Sequence, residues 1–198
     1  MPGKFFRPPD AEERDRVPPG QHVAKRFPVL TYGETPIVST ADWQLKLWGL
    51  VDEVTLSWAD LMNLPQHEFT ADFHCVTRWS KLDVRWQGVK ISDLMQPVTL
   101  ASSAAHVMAH CYGGYTTNLP LEDFLQDGNF LAHSLFGEAL PAEHGGPLRL
   151  VVPHLYAWKS AKWLNGLEFL AQEESGFWER NGYHRRGNPW AKERYSAR

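Results

Sequence analysis

The sequence predicts an α+β fold: one domain with a mixed sheet and a few short helices. Three observations carry this. Short strand-like runs and short helical runs follow one another without the regular strand–helix alternation of a doubly wound parallel sheet. At 198 residues, with 43% hydrophobic content, the chain suits one core. No glycine-rich strand-to-helix phosphate loop is present, which weighs against nucleotide folds.

The elements follow in order. Residues 1–28 hold Pro8-Pro9, Pro18-Pro19 and a mixed charge run, and read as an extended arm packing without regular structure. Residues 29–198 form the domain proper. Alternation from Trp43 to Val51 predicts a strand. Ser57 opens a helix that stops at Pro65. His67 to Cys75 alternates again and reads as a strand ending at the cysteine. Gly88 to Met95 is a short strand running into a short helix capped by Ser92. His106 to Tyr112 is a strand closed by Gly113-Gly114, and a helix with Pro120 in its first turn follows. Phe130–Phe136, Leu148–Val152 and Trp163–Ala171 complete the strands. The tail from Glu173 is aromatic and basic.

Composition narrows the function classes. A net charge of −3 gives no sign of a nucleic-acid partner. No apolar run reaches the length of a membrane span. Two cysteines, Cys75 and Cys111, make no disulfide framework. Residues 1–21 carry neither an apolar signal core nor a twin arginine, so the expectation is a cytoplasmic protein with free thiols. Nine tryptophans imply heavy aromatic packing or aromatic walls around a flat ligand.

Two constellations carry chemistry. Cys75 ends a strand, with His74 and Arg78 beside it in sequence; a thiolate there is a soft ligand for a transition metal. Arg149 lies in an apolar strand, and Lys159-Ser160-Ala161-Lys162-Trp163 follows it. A planar guanidinium, a point charge and a hydroxyl suit phosphate oxygens.

Asp72-Phe73-His74-Cys75-Val76-Thr77-Arg78-Trp79 and His144-Gly145-Gly146-Pro147-Leu148-Arg149-Leu150-Val151-Val152-Pro153, with Lys159 to Leu164, resemble the molybdenum-cofactor domain of the sulfite oxidase family. The resemblance spans roughly residues 26–190 and is strongest at 72–88 and 144–164. It implies a sulfite-oxidase-type molybdopterin-binding fold in which Cys75 binds molybdenum. It further implies that His144, Arg149, Ser160, Ala161 and Lys162 hold the pterin and its phosphate. Phe27 to Pro36 resembles a segment lining the cofactor, which brings in Val29, Leu30 and Tyr32. Trp86 would wall the substrate pocket, Cys111 would line the cofactor without binding metal, and Tyr183 would reach the metal. Arg78 would attract substrate, with Arg185 and Arg186 as further cations. Val76-Thr77 stands where sulfite oxidases usually place Gly-Asn.

The expected activity is oxygen-atom transfer to or from a small oxyanion, S-oxide or N-oxide, such as sulfite or a sulfoxide. A molybdenum–molybdopterin cofactor without a nucleotide extension would serve it, and a separate electron-transfer partner would take or supply electrons. Two alternatives are a non-catalytic molybdopterin-binding protein, and an aromatic-rich binding module with Trp43, Trp48, Trp58, Trp79 and Trp86 as its platform.

Overall fold

The computed structural model describes residues 5–196. In chain order its strands are β1 (Phe6–Arg7), β2 (His22–Ala24), β3 (Gln44–Gly49), β4 (Val54–Ser57), β5 (His67–Cys75), β6 (Trp79–Lys90), β7 (His106–Cys111), β8 (Thr116–Pro120), β9 (Phe130–Leu135), β10 (Glu138–Ala139), β11 (Arg149–Val151) and β12 (Leu164–Leu170). The helices are α1 (Trp58–Asn63), α2 (Ile91–Met95), α3 (Leu121–Phe124) and α4 (Phe177–Arg180).

The strands form two sheets. One runs β1-β2-β6-β9-β10, with β5 added to β6 and β11 to β9. The other runs β4-β3-β12-β7-β8. Each is mixed: β2 lies parallel to β6 and β12 parallel to β3, while the other ladders are antiparallel. The architecture is the α+β, mixed-sheet arrangement expected.

Period-two alternation sends the first sheet's side chains into two cores. Val89, Leu131 and Leu150 face the second sheet, where they meet Leu45, Leu47, Val107 and Phe169. Val84, Trp86, Phe130, Ala132 and Val151 face the opposite way, into an aromatic core with Phe73, Cys75, Trp79, Tyr156 and Trp158. Phe6, Phe27, Trp178 and Tyr183 pack onto that second core. The arm and the tail therefore roof the face that carries Cys75.

Local chemistry sets the boundaries. Ser57 and Asp60 form a reciprocal capping box: Asp60 N donates to Ser57 Oγ at 3.2 Å, and Ser57 N donates to the Asp60 carboxylate at 2.9 Å. Between Gln87 and Gly88 the β6–β9 register shifts. A Cβ at Gly88 would stand 1.8 Å from the Leu131 carbonyl, so the chain passes there only as glycine.

Several expectations are corrected. Ser92 does not cap α2; the helix begins at Ile91, with Lys90 at the cap position and no side-chain cap. Pro120 precedes α3 rather than lying within its first turn. β6 begins at Trp79, well before the expected strand, and β8 was not expected. The arm carries regular structure after all, in β1 and β2; residues 1–4 of it lie outside the described residues. The aromatic platform does not exist as a surface, because Trp43, Trp79 and Trp86 are buried. Among the described residues no helix is long and apolar enough to cross a membrane.

Candidate active site

Cys75 closes β5 and opens a tight turn back into β6. Arg78 N donates to the Cys75 carbonyl at 3.0 Å, and Arg78 itself takes φ 72°. The thiol is buried, and Thr77 Oγ1 donates to Sγ at 3.2 Å. Burial raises the thiol's pKa, while Thr77 and Arg194 pull it down. Arg78 is exposed at the tip of the turn.

Tyr156 lies beside this turn and was not among the residues read from sequence. Its side chain is buried, and Oη has no hydrogen-bond partner among the described residues. Burial raises its pKa, whereas Arg194 and Arg78 lower it. The Arg194 guanidinium stands 5.0 Å from the Tyr156 ring centroid. Tyr156 stacks on Trp158 at 5.3 Å, and Trp158 meets Tyr183 edge-on at 5.0 Å. The structure thus brings Cys75, Arg78 and Tyr183 into one neighbourhood, with Tyr156 and Arg194 added.

The second constellation is assembled behind it. Arg149 is buried between aromatic faces, 5.1 Å from the Phe73 ring and 5.4 Å from Trp86. Its fork donates to the carbonyls of His144 and Ser160, each at 2.7 Å. Its hydrogen bonds among the described residues go to carbonyls alone, and burial lowers its pKa to about 9. Ser160 Oγ accepts from Val152 N at 2.9 Å, and the Ala161 carbonyl accepts from Leu150 N at 2.9 Å. Lys162 Nζ donates to the Leu30 carbonyl at 2.8 Å and the Glu143 carbonyl at 2.6 Å. Its stem crosses Gly145 (φ 109°), where a Cβ would lie 3.0 Å from Lys162 Cβ. Burial and Arg149 bring Lys162 down to about 7. His144 stacks on Phe27 with centroids 4.7 Å apart.

The other expected residues fall as follows. Val29, Leu30 and Tyr32 are exposed, and Tyr32 leans on Phe177 and Trp178. Cys111 lies in the inter-sheet core, within electrostatic reach of Arg149, and burial raises its pKa. Arg185 pairs with Glu173 at 2.6 Å and Arg186 with Asp123 at 2.8 Å, both arginine side chains remaining exposed.

The residues present fit a thiolate-held metal beside an anionic cofactor. A buried thiol, a buried hydroxyl lacking a partner and an orphaned Trp86 Nε1 mark polar atoms that a bound group would satisfy. Arg149 is a buried cation with no acidic partner among the described residues, a state that a nearby anion stabilises.

The family described as "Oxidoreductase molybdopterin binding domain" matches residues 32–178. Over 194 residues the chain is 46% identical to the uncharacterized oxidoreductase YuiH of Bacillus subtilis (strain 168), covering 97% of this chain and 98% of that one. It is 26% identical to the protein-methionine-sulfoxide reductase catalytic subunit MsrP of Campylobacter jejuni, covering 71% of this chain and 53% of that protein. It is 27% identical to the mitochondrial sulfite oxidase of Macaca fascicularis, covering 66% of this chain but 29% of that one. Among solved structures, the sulfane dehydrogenase SoxCD of Paracoccus pantotrophus superposes with a TM-score of 0.65 at 23% identity, over 75% of this chain and 42% of that one. Family match, relatives and fold agree with the buried thiol and the buried Arg149: this chain is an oxidoreductase of the molybdopterin-binding family.

Proposed function

We propose that this enzyme transfers an oxygen atom to or from a small sulfur-oxo substrate, sulfite or a sulfoxide, at a molybdenum ligated by Cys75. One observation carries the reading: the Cys75 thiol and the partnerless Tyr156 hydroxyl lie together with Arg78 and Arg194 in electrostatic reach. The relatives' names, sulfite oxidase and protein-methionine-sulfoxide reductase, support the substrate class. When bound, the cofactor supplies a two-electron metal centre able to exchange an oxygen atom.

The chain's own residues do the rest. Cys75 offers its thiolate, and Thr77 steadies that charge through its hydroxyl. Arg78 attracts the polar S–O group. Tyr156 Oη, with Tyr183 beyond Trp158, holds a proton where the substrate oxygen arrives. Trp86 and Phe73 keep water out. Arg149 and Lys162 hold the anionic end of the pterin with His144, while Ser160 and Ala161 fix the turn beneath. Val29, Leu30 and Tyr32 form the rim, and Cys111 lies behind the pterin side of Arg149. The cofactor in this reading has no nucleotide extension, and a separate electron-transfer protein of the cytoplasm would complete the cycle.

Elemental analysis with oxidised-pterin fluorescence on the native protein tests the first step. Near-stoichiometric molybdenum and a pterin that releases no nucleotide are expected. Dye-linked assays with sulfite and with methyl sulfoxides then test the second; turnover of neither by the loaded protein would sink the substrate class.

A further inference from the structure

The turn after Cys75 is held from two sides by segments outside the matched residues 32–178. From the arm, the buried Gln21 side chain donates from Nε2 to the Cys75 carbonyl at 3.0 Å, and His22 N donates to the Arg78 carbonyl at 3.0 Å. From the tail, the Arg194 guanidinium donates to the Val76 carbonyl while lying over the Tyr156 ring. The carbonyls of Cys75, Val76 and Arg78 therefore each accept from outside the turn.

Arg194 is delivered by a closed tail. Tyr183 bridges Tyr195, and His184 N donates to the Arg194 carbonyl at 3.1 Å. Tyr156 N donates to the Gly187 carbonyl at 2.8 Å, which ties Tyr156 to the tail. Arg78 takes a left-handed conformation at the end of the three-residue loop between the paired Cys75 and Trp79. The outside donors brace that turn.

We propose that Gln21 and Arg194 are positioning residues that fix the Cys75 thiolate and the Tyr156 hydroxyl relative to each other, without touching the metal themselves. The proposal rests on the reading of Cys75 as the metal ligand. Arg194 is the joint, because one guanidinium reaches both the turn and the phenol ring. Truncating it frees Val76 and lets the turn relax, so the thiolate shifts against the hydroxyl.

The test uses the loaded full chain with Arg194→Met, Gln21→Leu and the conservative Arg194→Lys. Molybdenum content should stay near wild type. The thiolate-to-metal absorption and the electron paramagnetic resonance of the half-reduced metal should shift. kcat should fall about 10- to 100-fold, the range seen when residues supporting a metal ligand are lost, with KM little changed. Tryptic cleavage after Arg78 should rise, and Arg194→Lys should lie between wild type and Arg194→Met in spectrum and kcat. A wild-type spectrum and kcat in both Arg194→Met and Gln21→Leu overturn the proposal, even if cleavage rises. Failure of the underlying reading shows separately, as wild-type protein that carries no molybdenum.

Discussion

Lys159 and Glu179 form an ion pair wholly out of solvent, with Nζ 2.6 Å from Oε1 and neither side chain exposed. Lys159 also donates to the Asn118 carbonyl and side chain, at 2.7 and 2.9 Å, and to the Arg185 carbonyl. Glu179 Oε1 accepts further from Thr117 and from Trp158 Nε1. The pair thus ties the tail that carries Tyr183 to β8 and to the helical turn that follows Tyr156.

Lys159→Met should destabilise the fold by about 3–5 kcal/mol, because it strands a buried carboxylate. Adding Glu179→Leu should recover part of that loss. Urea unfolding of the single and double variants checks this; a double variant no more stable than the single would show that the pair is not the source of the cost.

Arg149→Met should lower the molybdenum retained per chain and reduce stability by about 1–3 kcal/mol for each buried carbonyl left without a donor. Arg149→Lys should not restore retention, since a point charge cannot span the His144 and Ser160 carbonyls at once. Elemental analysis and urea unfolding of the two variants give the answer.

Cys75→Ser should keep the fold and much of the pterin while losing redox turnover. Circular dichroism, pterin fluorescence and a dye-linked assay on one preparation separate these properties. Full activity in the variant would remove Cys75 from the metal.

Stability should fall as the solution is acidified from about 6.5 toward 4. Burial, then Arg149 and Lys162, hold the His144 imidazole down to about 4. An unfolded histidine titrates near 6.5, so the unfolded chain binds more protons across that window. The contribution is complete above the window and is lost on descending through it. His74, pushed by burial to about 4, acts in the same direction. His144→Phe keeps the stack on Phe27 and should flatten part of the slope in urea unfolding measured at successive pH values.

Much of this molecule was legible because its strands alternate or run apolar. β5 announces itself by side chains that go in and out in turn over its first half, and β9 by an apolar run that is buried on both faces. The first half of β6 alternates as well, with Leu82, Val84 and Trp86 buried between Lys81, Asp83, Arg85 and Gln87, so its signal was present in the sequence and was passed over; what no pattern shows is the turn at Arg78 and Asp83 at φ 54°. β1 and β2 are too short to carry a period, and their pairing with the sheet exists only in three dimensions. At the site, Cys75 and Arg149 could be read because each lies in a motif. Tyr156 could not: within Leu155-Tyr156-Ala157-Trp158 it looks like any core aromatic, and only the fold leaves its hydroxyl without a partner. Arg194 lies 118 residues from Val76, so no local pattern joins them. Arg185 and Arg186 stand out in the sequence as adjacent cations, and their pairing with Glu173 and Asp123 is visible only in the fold.

The roof over the Cys75 face has a consequence for how this domain can be moved between proteins. The stretch matched by the family description, cut free at residues 32 and 178, would leave behind Phe27, Gln21, Tyr183 and Arg194 and uncover an aromatic floor. A chimera that borrows the chemistry must therefore borrow both flanks, and trimming either end is an operation on the active site.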